Sequence, residues 1–193
     1  MVISVASFME LDMGSLSDVV ALEQTIVMHS PIGPLTLVSD GSYLLELRFG
    51  GDMQGVSDTS MESQGPSWCP ILQQARSELA EYFKGSLMEF SVPYKMRGTP
   101  FQQRVWRALC DVPYGTTCSY SELAARIGSP QGARAVGLAL GRNPLAIVVP
   151  CHRVIGANGS LTGFGGGVET KRLLLEHENR YLNPDRPSRV QRI

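Results

Sequence analysis

Two different hydrophobic periods run along this chain, and the change from one to the other divides it. In TIVMHSPIGPLTLVSDGSYLLELRFG, residues 25–50, three short apolar runs are broken by Pro-Ile-Gly-Pro and by Ser-Asp-Gly-Ser. Runs of that length between turn-forming clusters predict a meander of three antiparallel strands. Residues 51–65 are polar and rich in Gly and Ser, which predicts a flexible loop. From Pro66 onward, PSWCPILQQARSELAEYFKG places Leu72, Ala75, Leu79 and Phe83 at helical spacing and stops at Gly85, so a helix ends there.

Helical periodicity then takes over. In TPFQQRVWRAL, Thr99 can cap, Pro100 suits the first turn and Gln102 completes a capping box, with Phe101, Val105 and Leu109 forming one apolar stripe. Ser119 and Glu122 repeat the capping signature before YSELAARI, which Gly128 closes. Ser129 and Pro130 start a further helix, QGARAVGLALGRN, and two helices across so tight a turn predict a helix-turn-helix. Strands on either side of Asn158-Gly159 would add a wing. Gly132, Ala133, Ala135, Gly137, Ala139 and Gly141 leave one face of the second helix nearly bare. Glycine inside a helix costs about 1 kcal/mol relative to alanine, so something wants that backbone close. Close packing on a neighbouring helix is one explanation; a minor-groove surface with Arg134 projecting from it is the other. Between this helix and the wing, NPLAIVVP predicts a buried strand running straight up to Cys151.

Charge sharpens the same division. Residues 1–95 carry four Lys/Arg against twelve Asp/Glu, net −8, whereas residues 96–193 carry thirteen against six, net +7, with Lys171 the only lysine among arginines. An Arg-rich half suits phosphate contacts, although such halves also occur in proteins that never meet nucleic acid. At 193 residues and 43% hydrophobic content the chain can bury one good core or two small adjoining ones. No apolar run approaches a membrane span and the first residues lack a cationic signal, so no membrane is expected and the cytoplasm is the default address, or the nucleus in a eukaryote. Cysteines 69, 110, 118 and 151 form no C-x-x-C pair, and His29, His152 and His177 do not cluster with them at ligand spacing. Neither a disulfide framework, a metal nor a cofactor is expected.

Chemistry concentrates at NPLAIVVPCHRVIGANGSLTGFGGG, residues 143–167. A thiol is a strong nucleophile once ionised, but its ordinary pKa of about 8.5 demands a base or cation nearby. His152 and Arg153 are adjacent candidates. Neighbours on an extended strand face opposite ways, so contact between Cys151 and His152 calls for an intervening water or a bent backbone. A lone buried cysteine is commonly structural; one set between an apolar run and a Gly-rich loop, in Pro-Cys-His-Arg-Val, is far more specific.

IVVPCHRVIG, with Asn143 upstream, Tyr120 and GARAVG before it and His177-Glu178 after it, resembles the methylated-DNA–protein-cysteine methyltransferases, or O6-alkylguanine-DNA alkyltransferases. The resemblance covers roughly residues 25–182 and is strongest over 99–180. It implies an α+β fold, a small RNase H-like sheet-plus-helix domain followed by a winged-helix domain that binds the DNA minor groove. It further implies direct repair of double-stranded DNA containing O6-alkylguanine, and of O4-alkylthymine as a further substrate. The damaged base would be flipped out and its alkyl group passed irreversibly, once per molecule, to Cys151. His152 would act through a water as general base, Glu178 would orient it, and Asn143 would hold the turn before the active strand. Position in the helix favours Glu178 independently, because it follows Leu174 and Leu175 on an apolar face whereas Glu176 can pair with Arg172. On the DNA side, Arg134 would fill the gap left by the base, with Ala133 and Gly137 beside it, and Tyr120 would offer its hydroxyl to base or phosphate. A half-buried aromatic at a helix start accounts for Tyr120 equally well. The main chain at Cys151, Val154 and Gly165 would read guanine edges.

Phe164-Gly165 departs from the tyrosine-serine pair of some members, which implies more room, more flexibility and tolerance of bulkier alkyl groups. The expected organisation is a loosely ordered arm (1–24), the RNase H-like domain (25–95), the winged-helix domain (96–182) and a basic tail (183–193). The protein is expected to be a monomer, with cooperative assembly on DNA left open. A non-enzymatic module that binds alkylated DNA is the alternative, set against by the presence of Cys151; a cysteine hydrolase would leave the basic helix-turn-helix without a role.

Overall fold

The computed structural model describes residues 23–51 and 69–182. The expected arm, the 51–65 loop beyond Gly51 and the basic tail lie outside the described residues. The meander forms as the breakers dictate: β1 (Gln24–Met28), β2 (Leu35–Ser39) and β3 (Leu44–Phe49) pair antiparallel in that order. Asp40 Oδ1 accepts from the backbone of Ser42 and Tyr43 and fixes the second turn. Helix α1 (Pro70–Lys84) packs on β2 and β3 and ends at Gly85, whose φ of 79° is the left-handed cap. Its wholly buried face is Leu72, Ala75, Leu79 and Tyr82, with Phe83 only half-buried.

Four more helices follow: α2 (Pro100–Cys110), α3 (Tyr120–Arg126), α4 (Ala133–Leu140) and α5 (Val168–Leu182). Both capping boxes close as predicted, Thr99 with Gln102 and Ser119 with Glu122. The inward stripe of α2 is Val105, Trp106 and Leu109, with Phe101 at its half-buried margin. Helices α2, α3 and α4 pack mutually, and Gly128 (φ 73°) supplies the turn between α3 and α4. The architecture is thus α+β, a small N-terminal sheet with one helix followed by a helical C-terminal half. Among the described residues no helix is long and apolar enough to cross a membrane.

Two expectations change. The Asn158-Gly159 turn is present, closed by Gly156 N donating to Ser160 O at 2.8 Å, but among the described residues no strand follows it. The preceding strand β5 (Val154–Ile155) pairs instead in parallel with β4 (Cys118–Ser119), at the entrance to α3. The run before Cys151 is also no strand. Leu47 on β3 binds Pro144 O and Ala146 N, at 2.8 and 3.2 Å, and among the described residues this bridge is all the extended pairing the run makes. Ile147 then takes a φ of 70°, Val149 N returns to Leu145 O, and Cys151–Arg153 coil into a 3-10 turn. Residues 145–154 are all buried, so the run is apolar because it is enclosed on every side, not because it is sheet.

Candidate active site

That compact turn holds Cys151 and His152 side by side in the interior. Asn143 fastens it across its mouth: Oδ1 accepts from Leu145 N at 3.1 Å, and Nδ2 donates to Val149 O at 2.8 Å and to Cys151 Sγ at 3.2 Å. Burial pushes the Cys151 thiol above its ordinary range; the Asn143 amide and the charge of Lys171 pull it back only in part. The next residue turns the other way. His152 is wholly buried, its Nε2 sits 2.7 Å from Glu178 Oε1, and its Nδ1 has no hydrogen-bond partner among the described residues.

Glu178 is the hub. Besides His152 it accepts from Arg153 Nε (3.0 Å, to Oε2) and Nη2 (3.0 Å, to Oε1), from Gly115 N at 2.9 Å and from the Tyr82 hydroxyl at 3.0 Å. Burial alone would raise its pKa, but His152 and Arg153 overcome that and hold the carboxyl well below the carboxylate range. Arg153, a candidate cation for the thiol, is therefore committed elsewhere: to this carboxylate and, through Nη1, to Val112 O at 2.6 Å. The neighbouring Glu176 pairs with Arg172.

The cation that does lie near the thiol is Lys171, seven residues earlier on the same helix. It is wholly buried, donates to Val154 O at 2.6 Å and Thr162 O at 3.1 Å, and stands 5.7 Å from the centroid of the Tyr120 ring. Burial lowers its pKa to about 8. Sequence reasoning missed Lys171, Tyr82 and the Gly115 amide. The one available signal was that Lys171 stood alone among arginines in the second half.

Family models described as "6-O-methylguanine DNA methyltransferase, ribonuclease-like domain" and "6-O-methylguanine DNA methyltransferase, DNA binding domain" match residues 25–96 and 100–180. The chain belongs to this methyltransferase family. It is 53% identical over 154 residues to the methylated-DNA–protein-cysteine methyltransferase of Mycobacterium tuberculosis, covering 78% of this chain and 89% of that one. The Methanosarcina acetivorans protein of the same name is 45% identical over 154 residues, covering 79% and 96%. Among solved structures, Mycobacterium tuberculosis OGT in complex with DNA superposes with a TM-score of 0.69 at 52% identity, covering 82% of this chain and 93% of that one.

In this methyltransferase the residues expected on the DNA side lie along α3, α4 and the Gly-rich loop. Arg134 is exposed near the start of α4, with Ala133 and Gly137 half-buried behind it. The bare face is not as the small residues suggested. Ala139 points inward and its carbonyl receives Trp106 Nε1 at 2.9 Å, while the outward face is Arg134, Ala135 and Leu138, the last 65% exposed. A Cβ at Gly137 would meet the Tyr120 ring at 3.6 Å, an ordinary contact, so internal packing does not demand glycine there. Tyr120 spends its hydroxyl on Thr162 O at 3.0 Å, and the Val154 carbonyl is occupied by Lys171. Phe164 is less free than its glycine neighbours imply: its ring rests on Phe49 of β3 with centroids 5.1 Å apart, and a Cβ at Gly166 would lie 2.6 Å from the same ring. Gly165 is exposed with open space around it.

Proposed function

We propose that this protein repairs double-stranded DNA by transferring the alkyl group of O6-alkylguanine to Cys151. The observation that carries the reading is the buried His152–Glu178 pair directly after the cysteine: Nε2 on Glu178 and an unengaged Nδ1, with Asn143 on Cys151 Sγ. A thiol raised by burial is protonated at neutral pH, so a base is required. His152, acting through a water, takes the proton, and Glu178 orients the ring and stabilises the imidazolium. The sulfur attacks the alkyl carbon, an S–C bond forms, and the C–O bond breaks with its electron pair left on the guanine oxygen. Guanine is restored by one proton, and the thioether has no reverse path, so each molecule acts once.

To reach a base, the protein flips it from the duplex, at a cost of a few kcal/mol. Arg134 and the outward face of α4 support the minor-groove approach that would offset that cost, and a glycine at 137 that the interior does not require suits a close external backbone. The mycobacterial relative solved in complex with DNA supports DNA as the partner. The protein acts as a monomer, without metal or cofactor, wherever the cell keeps its DNA.

Intact-protein mass spectrometry with peptide mapping, after incubation with a duplex carrying one O6-methylguanine, tests this. One methyl on the Cys151 peptide, stoichiometric and absent in Cys151→Ser, is the expected result. Tight lesion binding without mass gain would leave a DNA-binding module with an idle thiol.

A further inference from the structure

Polar and titratable groups face Glu178 from four places, and only one of them is in the N-terminal domain. His152 and Arg153 approach from the 3-10 turn, the Gly115 amide and the Tyr114 ring from the segment after α2, and His177 lies beside it on α5. The fourth is Tyr82, near the end of α1, whose hydroxyl donates 3.0 Å to Oε1, the same oxygen that His152 holds at 2.7 Å. We infer that Tyr82 is a positioning residue for alkyl transfer, through which the N-terminal domain sets how strongly the carboxylate holds the proton on His152. The inference rests on the Cys151–His152–Glu178 reading above.

The ring is built to keep that hydroxyl in place. Tyr82 is wholly buried, meets Phe83 and Tyr114 edge-on at 5.3 and 6.0 Å, and lies within 5.6 Å of Phe90 and 5.1 Å of His177. Its own carbonyl takes His177 Nε2 at 2.7 Å, which ties the end of α1 to α5 just beside the hub. Burial and the adjacent carboxylate push the phenol well above the ordinary tyrosine range, so it remains a donor at every pH at which the protein works. Because it shares Oε1 with the imidazole, it draws charge from the atom that His152 feels. Without it, that oxygen would hold the His152 proton more tightly and leave less of the base free.

The experiment is single-turnover transfer from an O6-methylguanine duplex by the full chain, over a pH series spanning the titration of an imidazole. Tyr82→Phe removes one oxygen and keeps the ring. Transfer should slow about tenfold near neutrality, the worth of one hydrogen bond to a charged group. The acid limb of the rate profile should move to higher pH so that the loss shrinks as pH rises, with duplex affinity unchanged. Phe83→Leu disturbs the same ring cluster but spares the hydroxyl; it should lower the melting temperature and leave the limb where it was. An unshifted limb in Tyr82→Phe, or the same shift in Phe83→Leu, would overturn the role of Tyr82. Glu178→Gln in parallel separates the two levels. If it transfers at the parent rate, the triad reading itself fails; if it is slow while Tyr82→Phe is not, only the inference about Tyr82 does.

Discussion

Helix α5 buries two ionised side chains seven residues apart, Lys171 and Glu178, and the chain treats them in opposite ways. Glu178 is surrounded by donors: an imidazole, a guanidinium, an amide and a phenol. Lys171 has two backbone carbonyls and the face of Tyr120, and no carboxylate pairs with it among the described residues. A buried charge is expensive unless paired and hydrogen-bonded, so the carboxylate is a settled account and the ammonium is not. The uncompensated charge in the pocket is therefore positive. It lowers the Cys151 pKa against the pull of burial. In the proposed reaction, one end of α5 would align the base and the other would favour the nucleophile.

The largest effect should come from spoiling the paired end. Glu178→Gln strands Arg153 in the interior and should cost about 3 kcal/mol in denaturant unfolding. Its pH dependence has a definite sign. The folded carboxyl lies below the ordinary value of 4.5, so its contribution is present at neutral pH and is lost as pH falls through and below that value. The parent should thus lose its advantage over the variant in acid, and a constant gap would break the assignment of Glu178 as the ionised hub.

The unpaired end should behave otherwise. Lys171→Met relieves a buried cation but takes the ammonium donor from the Val154 carbonyl, while the Thr162 carbonyl keeps the Tyr120 hydroxyl, so stability at neutral pH should stay within about 1 kcal/mol of the parent. Chemistry should suffer more than the fold. If the cation is worth about one pKa unit to the thiol, the thiolate fraction, and the transfer rate with it, falls about tenfold, which alkylation of Cys151 by iodoacetamide as a function of pH would read directly. The folded lysine titrates near 8 against an ordinary 10.5. The unfolded chain therefore binds the extra proton over that window, and the parent should gain stability relative to Lys171→Met as pH rises through it. A parent that loses ground there would mean that Lys171 is not held as a strained cation.

The contrast between these two residues also marks how far the sequence could be read. Local signals carried well: the two capping boxes, the left-handed glycine after α1 and the breakers of the meander each act within four or five residues, and each stands where the pattern predicted it. Glu178 was preferable to Glu176 because leucines one turn away marked its face as inward. What the pattern could not carry was partnership across the fold. Tyr82 and Phe83 both suit a helical stripe, and only the packing of α5, 96 residues on, makes Tyr82 the buried one with a polar task. Arg153 looked like a partner for the thiol because it is two residues away, yet its planar fork matches a carboxylate, and a 3-10 turn rather than a strand decides which way it points. A continuous apolar run has no period from which such a turn could be foreseen.

The same long-range logic bears on the Gly-rich loop, where the smallest effect is expected. Composition suggested a loose pocket wall, whereas Phe164 leans on Phe49 and Gly166 fits against the same ring. The end of β3 thus backs the loop through packing alone, with no charge involved. Phe49→Ala removes that support at a half-buried site and frees Phe164 to withdraw. Transfer of a methyl group should change by less than about twofold, and transfer of a benzyl group from O6-benzylguanine should rise by about threefold, since a large substituent gains most from a wall that can move. Competition between the two substrates in one reaction gives the ratio without needing absolute rates. An unchanged ratio would mean that Phe164 keeps its place without Phe49, and that the width of the pocket is set within the C-terminal half alone.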